Sequence, residues 1–454
     1  DSLLKKNIIN MNLDVLLGKP PKLIKKINKY IKKPNKIISN YDGNIMEAIT
    51  NVLHYPCVSS KSFLITIGDR SVTGLIARDQ MVGPWQIPVS NVAVTKSTFD
   101  SSTGEAMAIG EKAPIAINNA SAAARMAICE AITNISASAI KDISLIKLSA
   151  NWMAASGSND EDYELFEAVK AIGINLCPDL GISIPVGKDS MSMQTTWDDG
   201  ERKTVKSPLS LIISAFSECF DIKKTLTPQL IPNEDTSLIL IDLGNGKNRM
   251  GGSSFNLVNN LRDNIVPDLD DPQLIKNFFK GIQQLNQENK ILAYHDRSDG
   301  GLITSVLEMI FAGHCGLNLK LDKKDFNFKF LFNEELGAVI QVLNKNIISI
   351  QNYLQDELNL NIKIIGHPTN DHVFSIYSGA SLKASDTRGH LQQCWSETSY
   401  KIQSIRDNPK SANEEFNLIL DNSNPGINPK INFKIPNKIN ISKLKPKIAI
   451  LREQ

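Results

Sequence analysis

The stretch from Ile291 to Phe311 constrains this chain most. Ile291-Leu292-Ala293-Tyr294 reads as the end of a buried strand, and Leu302 to Phe311 reads as an apolar helix. Between them stand Asp296-Arg297-Ser298-Asp299-Gly300-Gly301. Acidic residues at a strand end, followed by Gly-Gly at a helix start, suit a cation and a phosphate: free N–H groups attract the phosphate, and carboxylates hold the metal that travels with it. A plainer reading is slightly the more economical on these residues alone. Asp299 would cap the helix and Asp296 would sit in a turn.

A second element answers the first. Ala120 to Ala137 is an Ala-rich run suited to a closely packed helix, and Glu130 and Asn134 lie four apart on it. That spacing sends both side chains from one face, where a carboxylate and an amide oxygen can share one hard cation. The alternative is a surface Glu and a helix-interior Asn. The small, apolar character of the surrounding helix argues against it.

A chain of 454 residues is too long for one ordinary core, so two or three domains are expected. Fifty basic against 48 acidic residues leave a net charge of +2, which points to no bulk polyanion partner such as nucleic acid. Cys57, Cys129, Cys177, Cys219, Cys315 and Cys394 form no CxxC pair, which suits reduced thiols in a cytoplasmic protein. No apolar run reaches membrane-spanning length. The first residue is Asp1, and Lys447-Ile448-Ala449-Ile450-Leu451-Arg452 looks like a strand cut short, so a piece of a longer protein is expected.

Taken in order, residues 1–45 read as a connector with a basic helix, in which Leu23, Ile27, Tyr30 and Ile31 recur at helical spacing after Pro20-Pro21. Its lysines fit a solvated helix face better than a nucleic-acid patch, because aromatic residues are nearly absent from it. A first domain is expected over 46–225, with a strand at Ser62–Ile67, a strand from Ile146, a helix at Asp160–Ala171, a buried strand at Ile182–Met193 and a strand at Leu209–Phe216. Pro185-Val186-Gly187-Lys188-Asp189-Ser190 lacks the upstream glycine of a Walker loop. A second domain is expected over 236–406, with strands at Ser237–Leu243, Leu336–Val342, Ile362–Ile365 and Val373–Tyr377, and helices at Pro272–Asn286 and Thr387–Asp407. The loop at Gly251-Gly252-Ser253-Ser254 suits a tight turn at least as well as a phosphate site. Residues 407–454 read as a polar linker, dense in Pro and Asn over Asn408–Asn440, and a last strand.

Several of these blocks carry a resemblance. Gly68-Asp69-Arg70-Ser71-Val72-Thr73-Gly74, Arg78-Asp79-Gln80-Met81-Val82-Gly83-Pro84-Trp85-Gln86, Leu148-Ser149-Ala150-Asn151-Trp152-Met153, the Pro185–Met193 block and His295–Gly301 together resemble the long form of phosphoribosylformylglycinamidine synthase. The likeness runs over essentially the whole chain. It implies the second half of the synthetase region, ending at the first strand of the glutaminase domain. The implied fold class is α+β, a pair of domains like those of aminoimidazole ribonucleotide synthetase, with connectors at both ends. A free-standing synthetase of that kind is disfavoured by the glutaminase-like strand at 447–452.

The resemblance implies ATP-dependent amidation of formylglycinamide ribonucleotide in purine synthesis, with ammonia drawn from glutamine. It implies ATP or a structural ADP, with Mg²⁺, as cofactors. Glu130, Asn134 and Asp296 match magnesium ligands, and Ser90 and Ser298 match nucleotide contacts. Asn91 stands where the family has a ligating Asp, so an amide replaces a charge. Two roles follow: a working part of the ligase, or a nucleotide-binding scaffold that turns nothing over.

Overall fold

The computed structural model describes residues 40–71 and 73–433 without interruption, with scattered residues up to Ile38 and Ala449 besides. Among the described residues, fifteen strands run in chain order: β1 (Ile76–Arg78), β2 (Ala93–Lys96), β3 (Gly104–Glu111), β4 (Lys147–Met153), β5 (Ser183–Ser190), β6 (Gln194–Asp198), β7 (Arg202–Lys206), β8 (Ser210–Cys219), β9 (Thr236–Asp242), β10 (Ala293–Asp296), β11 (Gly316–Leu321), β12 (Gly337–Leu343), β13 (Asn361–Thr369), β14 (Val373–Ser378) and β15 (Ser381–Thr387). They make a six-stranded sheet in the order β1-β2-β3-β8-β4-β5, a seven-stranded sheet in the order β10-β12-β9-β13-β11-β14-β15, and the separate β6–β7 hairpin. With helices packed on both sheets, the fold is α+β.

One face of the six-stranded sheet carries the helix Ala120–Ile135. Ala106, Ala108, Leu148, Ala150, Ile213 and Ala215 point under it, and the helix returns Ala124, Ala127, Ala131 and Ile128. Small residues on both sides let the two layers approach closely. Gly110 marks the closest contact, since a Cβ there would come 2.2 Å from the Ala127 carbonyl oxygen. Asn119 caps the helix through the Ala122 N–H.

The seven-stranded sheet is covered on both faces. Along β9, Ile239 and Ile241 enter the core shared with Ala120–Ile135 and with Phe278 and Ile282 of the helix Pro272–Gln287. Leu238 and Leu240 enter a second core with the helix Gly301–Gly313 and with Trp395 of the helix Arg388–Arg406. Tyr294 joins the two sheets, its hydroxyl donating to the Thr133 carbonyl at 2.5 Å.

Four local expectations need correction. Ser62–Ile65 is a short helix rather than a strand, with Leu64 and Ile67 exposed. The groups around it bond to the Arg388–Arg406 helix: Ser60 N–H donates to the Trp395 carbonyl, and Arg406 donates to the Phe63 carbonyl. β5 is an edge strand paired only with β4, and it is largely exposed rather than buried. The basic helix expected near the start is absent over Ile27–Lys32, which have no regular structure; its Leu23 lies outside the described residues. A short helix stands at Leu13–Leu17 instead. The C-terminal linker is not structureless: Pro409–Leu418 is helical, capped by Asn408, and stacks Phe416 on Tyr400. The strand expected at 447–452 lies outside the described residues except for Ala449.

Candidate functional site

β10 ends at Asp296, and the chain turns through Ser298-Asp299-Gly300 into the helix Gly301–Gly313. Gly300 and Gly301 have φ of 81° and 71°, which glycine adopts at little cost. A Cβ on Gly301 would lie 2.6 Å from the Asn333 carbonyl oxygen, so this close approach also requires glycine. Arg297 points inward and is buried. It donates to Asp242 at 2.5 Å and to the carbonyls of Glu335 and Leu336, locking the turn to β9 and β12.

The turn faces Glu130 and Asn134 across the seam between the sheets. Ser298 donates its hydroxyl to Glu130 Oε1. Glu130 Oε2 accepts the Glu111 N–H at 2.7 Å. Asn91 Nδ2 donates to Asn134 Oδ1 at 2.8 Å and to Asp296 Oδ1 at 2.6 Å. Asn134 in turn donates to the Ile109 carbonyl at 3.1 Å, so its oxygen is aimed at Asn91. Asn91, Glu130, Asn134, Asp296 and Ser298 therefore meet in one place. Ser90 stands beside them but turns its hydroxyl onto the Val92 carbonyl.

At the centre lies a side chain that sequence reasoning missed. Lys112, 4% exposed, follows β3 and sends Nζ to Asp299 Oδ1 at 2.6 Å, Ser298 Oγ at 3.1 Å, Glu130 Oε1 at 3.3 Å and Glu334 Oε2 at 3.9 Å. Burial works against its charge, but the surrounding carboxylates outweigh it and hold the ammonium well above its ordinary pKa. Glu334 is the second missed residue. Its Oε1 accepts the N–H of Gly300 at 2.7 Å and of Ser254 at 2.8 Å. The helix starts expected to offer free N–H groups to a phosphate thus hold a carboxylate of the chain itself, and Asp299 serves Lys112 rather than capping the helix. Signals existed in the sequence, in Glu111-Lys112 before Ala113-Pro114 and in Glu334-Glu335, but nothing in them shows that they meet.

Carboxylates outnumber cations here. Burial pushes Glu130 and Glu334 each up to about 7, with Lys112 opposing and Asp299 reinforcing the rise. Asp296 is also raised, chiefly by burial, with His295 and Lys112 opposing. His295 is buried, yet its bond to Glu308 at 2.7 Å raises its pKa.

These donors do not form a magnesium cage as they are placed. Mg²⁺ needs converging oxygens at ~2.0–2.1 Å. The oxygens of Asn134 and Glu130 face protein donors, Asn91 presents its nitrogen, and only Asp296 Oδ2 is buried without a partner. Among the described residues no group of three or more His, Cys, Asp or Glu is arranged to hold a metal ion.

A cavity of about 440 Å³ opens nearby, lined by Pro114, Ile117 and Asn118 from the first sheet's side and Gly252 and Asn256 from the second. A cavity of about 520 Å³ beside Tyr41 and Phe255 shares Asn256, Leu261 and Asp263 with it, and another of about 450 Å³ lies beside Trp85 and Arg388.

The family models fall on these two parts. Residues 60–218 match an FGAR-AT PurM N-like domain, and residues 235–378 match the C-terminal domain of AIR synthase related proteins. The seam described above is thus the junction of two AIR-synthase-type domains. Residues 60–218 are thus similar to one domain family and residues 235–378 to another, both of the AIR-synthase type. Among solved structures, T. maritima PurL complexed with FGAR matches at 10% identity and a TM-score of 0.56, over 77% of this chain and 54% of that one. T. maritima PurL complexed with ATP matches at 11% identity and a TM-score of 0.54, over 77% and 52%. The PurLQS structure from Thermotoga maritima matches at 11% and 0.52, over 77% and 51%. The chain therefore spans about half the length of these structures.

Proposed function

We propose that this chain is the second half of the synthetase region of a long-form FGAR amidotransferase. In the assembled enzyme, formylglycinamide ribonucleotide becomes formylglycinamidine ribonucleotide at the expense of ATP, with ammonia from glutamine. The family models and the nucleotide and FGAR complexes of T. maritima PurL support this reading. Its partners are the first synthetase half and a glutaminase domain, and its place is the cytoplasm; no described helix is long and apolar enough to cross a membrane. Ser90 and Ser298 are the proposed nucleotide contacts, with Glu130, Asn134, Asp296 and Asn91 as the oxygen- and nitrogen-bearing wall beside them.

Within that enzyme, this half acts as a nucleotide-binding scaffold. The observation that carries the scaffold reading is Lys112. An ammonium among Glu130, Asp299 and Glu334 fills the centre where a working phosphoryl-transfer site keeps an exchangeable cation. ADP titrated calorimetrically into the full chain, with ATP hydrolysis followed in parallel, tests it. ADP binding without hydrolysis above buffer is expected. ATP turnover by the chain would overturn the scaffold role, and no nucleotide binding in any condition would overturn both readings.

A further inference from the structure

Resting on the proposed nucleotide cleft, we infer that the chain's own nitrogen donors, Asn91 and Lys112, do the work of divalent cations there, so that nucleotide binding by this half does not require Mg²⁺. The argument rests on which atoms meet. Asn91 Nδ2 sits between Asn134 Oδ1 and Asp296 Oδ1, where a ligated cation would otherwise stand, and His295 Nδ1 lies 3.5 Å from the same Asp296 oxygen. The two Asn91 N–H bonds satisfy both oxygens. On the other side of the seam, Lys112 touches Glu130, Asp299 and Ser298, and reaches Glu334 at 3.9 Å.

The amide orientation is held from behind. Asn91 Oδ1 lies 3.1 Å from His295 Nδ1, and His295 Nε2 lies 2.7 Å from Glu308. Turning Asn91 to offer oxygen to a metal would set three oxygens against one another, and against a protonated His295 ring it would also set N–H against N–H. The residue at 91 therefore decides whether the seam attracts a metal. With Asp there, the same geometry would bring a second carboxylate against Asp296 and Asn134, and Asp296 Oδ2 is already without a partner. Such a cluster of hard oxygens calls for a divalent cation.

Mn²⁺ alone, followed by electron paramagnetic resonance on the full chain, tests the inference. Wild type should bind no Mn²⁺ that Asp296→Asn removes. Asn91→Asp should gain a site about tenfold tighter or better, which Asp296→Asn in the same chain abolishes. A wild-type site equal to that of Asn91→Asp, and lost in Asp296→Asn, would overturn the inference. ADP titration of the wild type in EDTA and in excess Mg²⁺ covers the case in which Asn91→Asp fails to fold. Equal affinities support the inference, and binding seen only with Mg²⁺ sinks it. Absence of ADP binding under both conditions defeats the nucleotide reading instead, and the Mn²⁺ result still judges the metal question.

Discussion

The seam between the sheets and the outer face of the six-stranded sheet are opposites in how far they are finished. At the seam, a lysine, an asparagine and two helix starts meet the carboxylates from within the chain, leaving only Asp296 Oδ2 among them buried without a partner. On the outer face, Met107, Ile109, Phe216, Ser214, Lys147 and Ser149 line up in register without a covering layer among the described residues, and Ile109 and Phe216 are 60% and 42% exposed. Val186 on β5 and Trp197 and Val205 on the hairpin add exposed apolar surface. The seven-stranded sheet shows no such face, since β9 feeds two cores at once. The contrast teaches where this chain is self-sufficient. Burial of unpaired charge is so costly that the seam is closed internally, whereas an apolar sheet face can wait for a partner. We propose that the partner is the first synthetase half.

The largest expected effect lies at the seam. Lys112→Met leaves Glu130, Asp299 and Glu334 without their ammonium, and removing one member of a buried ion cluster costs ~3–5 kcal/mol. Denaturant titration of the full chain measures it, and a loss below about 1 kcal/mol would break the comparison.

A smaller effect follows from pH. The Glu334 carboxyl is raised by burial from 4.5 to about 7. Between those values the folded chain keeps a proton that the unfolded chain has lost, so stability is full below the lower value and declines as pH rises through the upper one. We expect the chain to lose about 1–3 kcal/mol from this group between pH 5 and 8, at ~1.4 kcal/mol per pH unit. Glu334→Gln keeps an acceptor for Gly300 and Ser254 and should flatten the slope. An unchanged slope would mean that Glu334 does not hold the proton.

The smallest effect is expected on the open face. Phe216→Ser should change the stability of the chain alone by no more than ~0.5 kcal/mol, while weakening its association with a first synthetase half in a binding assay. A cooperative loss of stability in the chain alone would show that the face is already covered.

Much of this arrangement was legible in the sequence, and the illegible part has a physical pattern. The Ala-rich helix and the i,i+4 spacing of Glu130 and Asn134 could be read locally, as could the strand–turn–helix around Asp296. Lys112 and Glu334 could not, because their roles depend on contacts with residues 186 and 187 positions away in one case and 34 in the other. Ser62–Ile65 was misread because a short apolar run has no period that separates strand from helix. β5 has strand composition, but its burial depends on neighbours that pair along one edge only. The β2–β3 hairpin and the strands β11 and β15 were not read as strands, and their pairing appears only with their partners in place.

The central claim is that Lys112 occupies the place of a cation. Equilibrium unfolding of wild type and Lys112→Met, each with and without saturating Mn²⁺, tests it most directly. Wild-type stability should be indifferent to the metal, and Lys112→Met should recover a measurable part of its loss when Mn²⁺ enters the vacated carboxylates. A wild type stabilised by Mn²⁺ as strongly as the variant, or a variant that the metal leaves unchanged, would contradict the account.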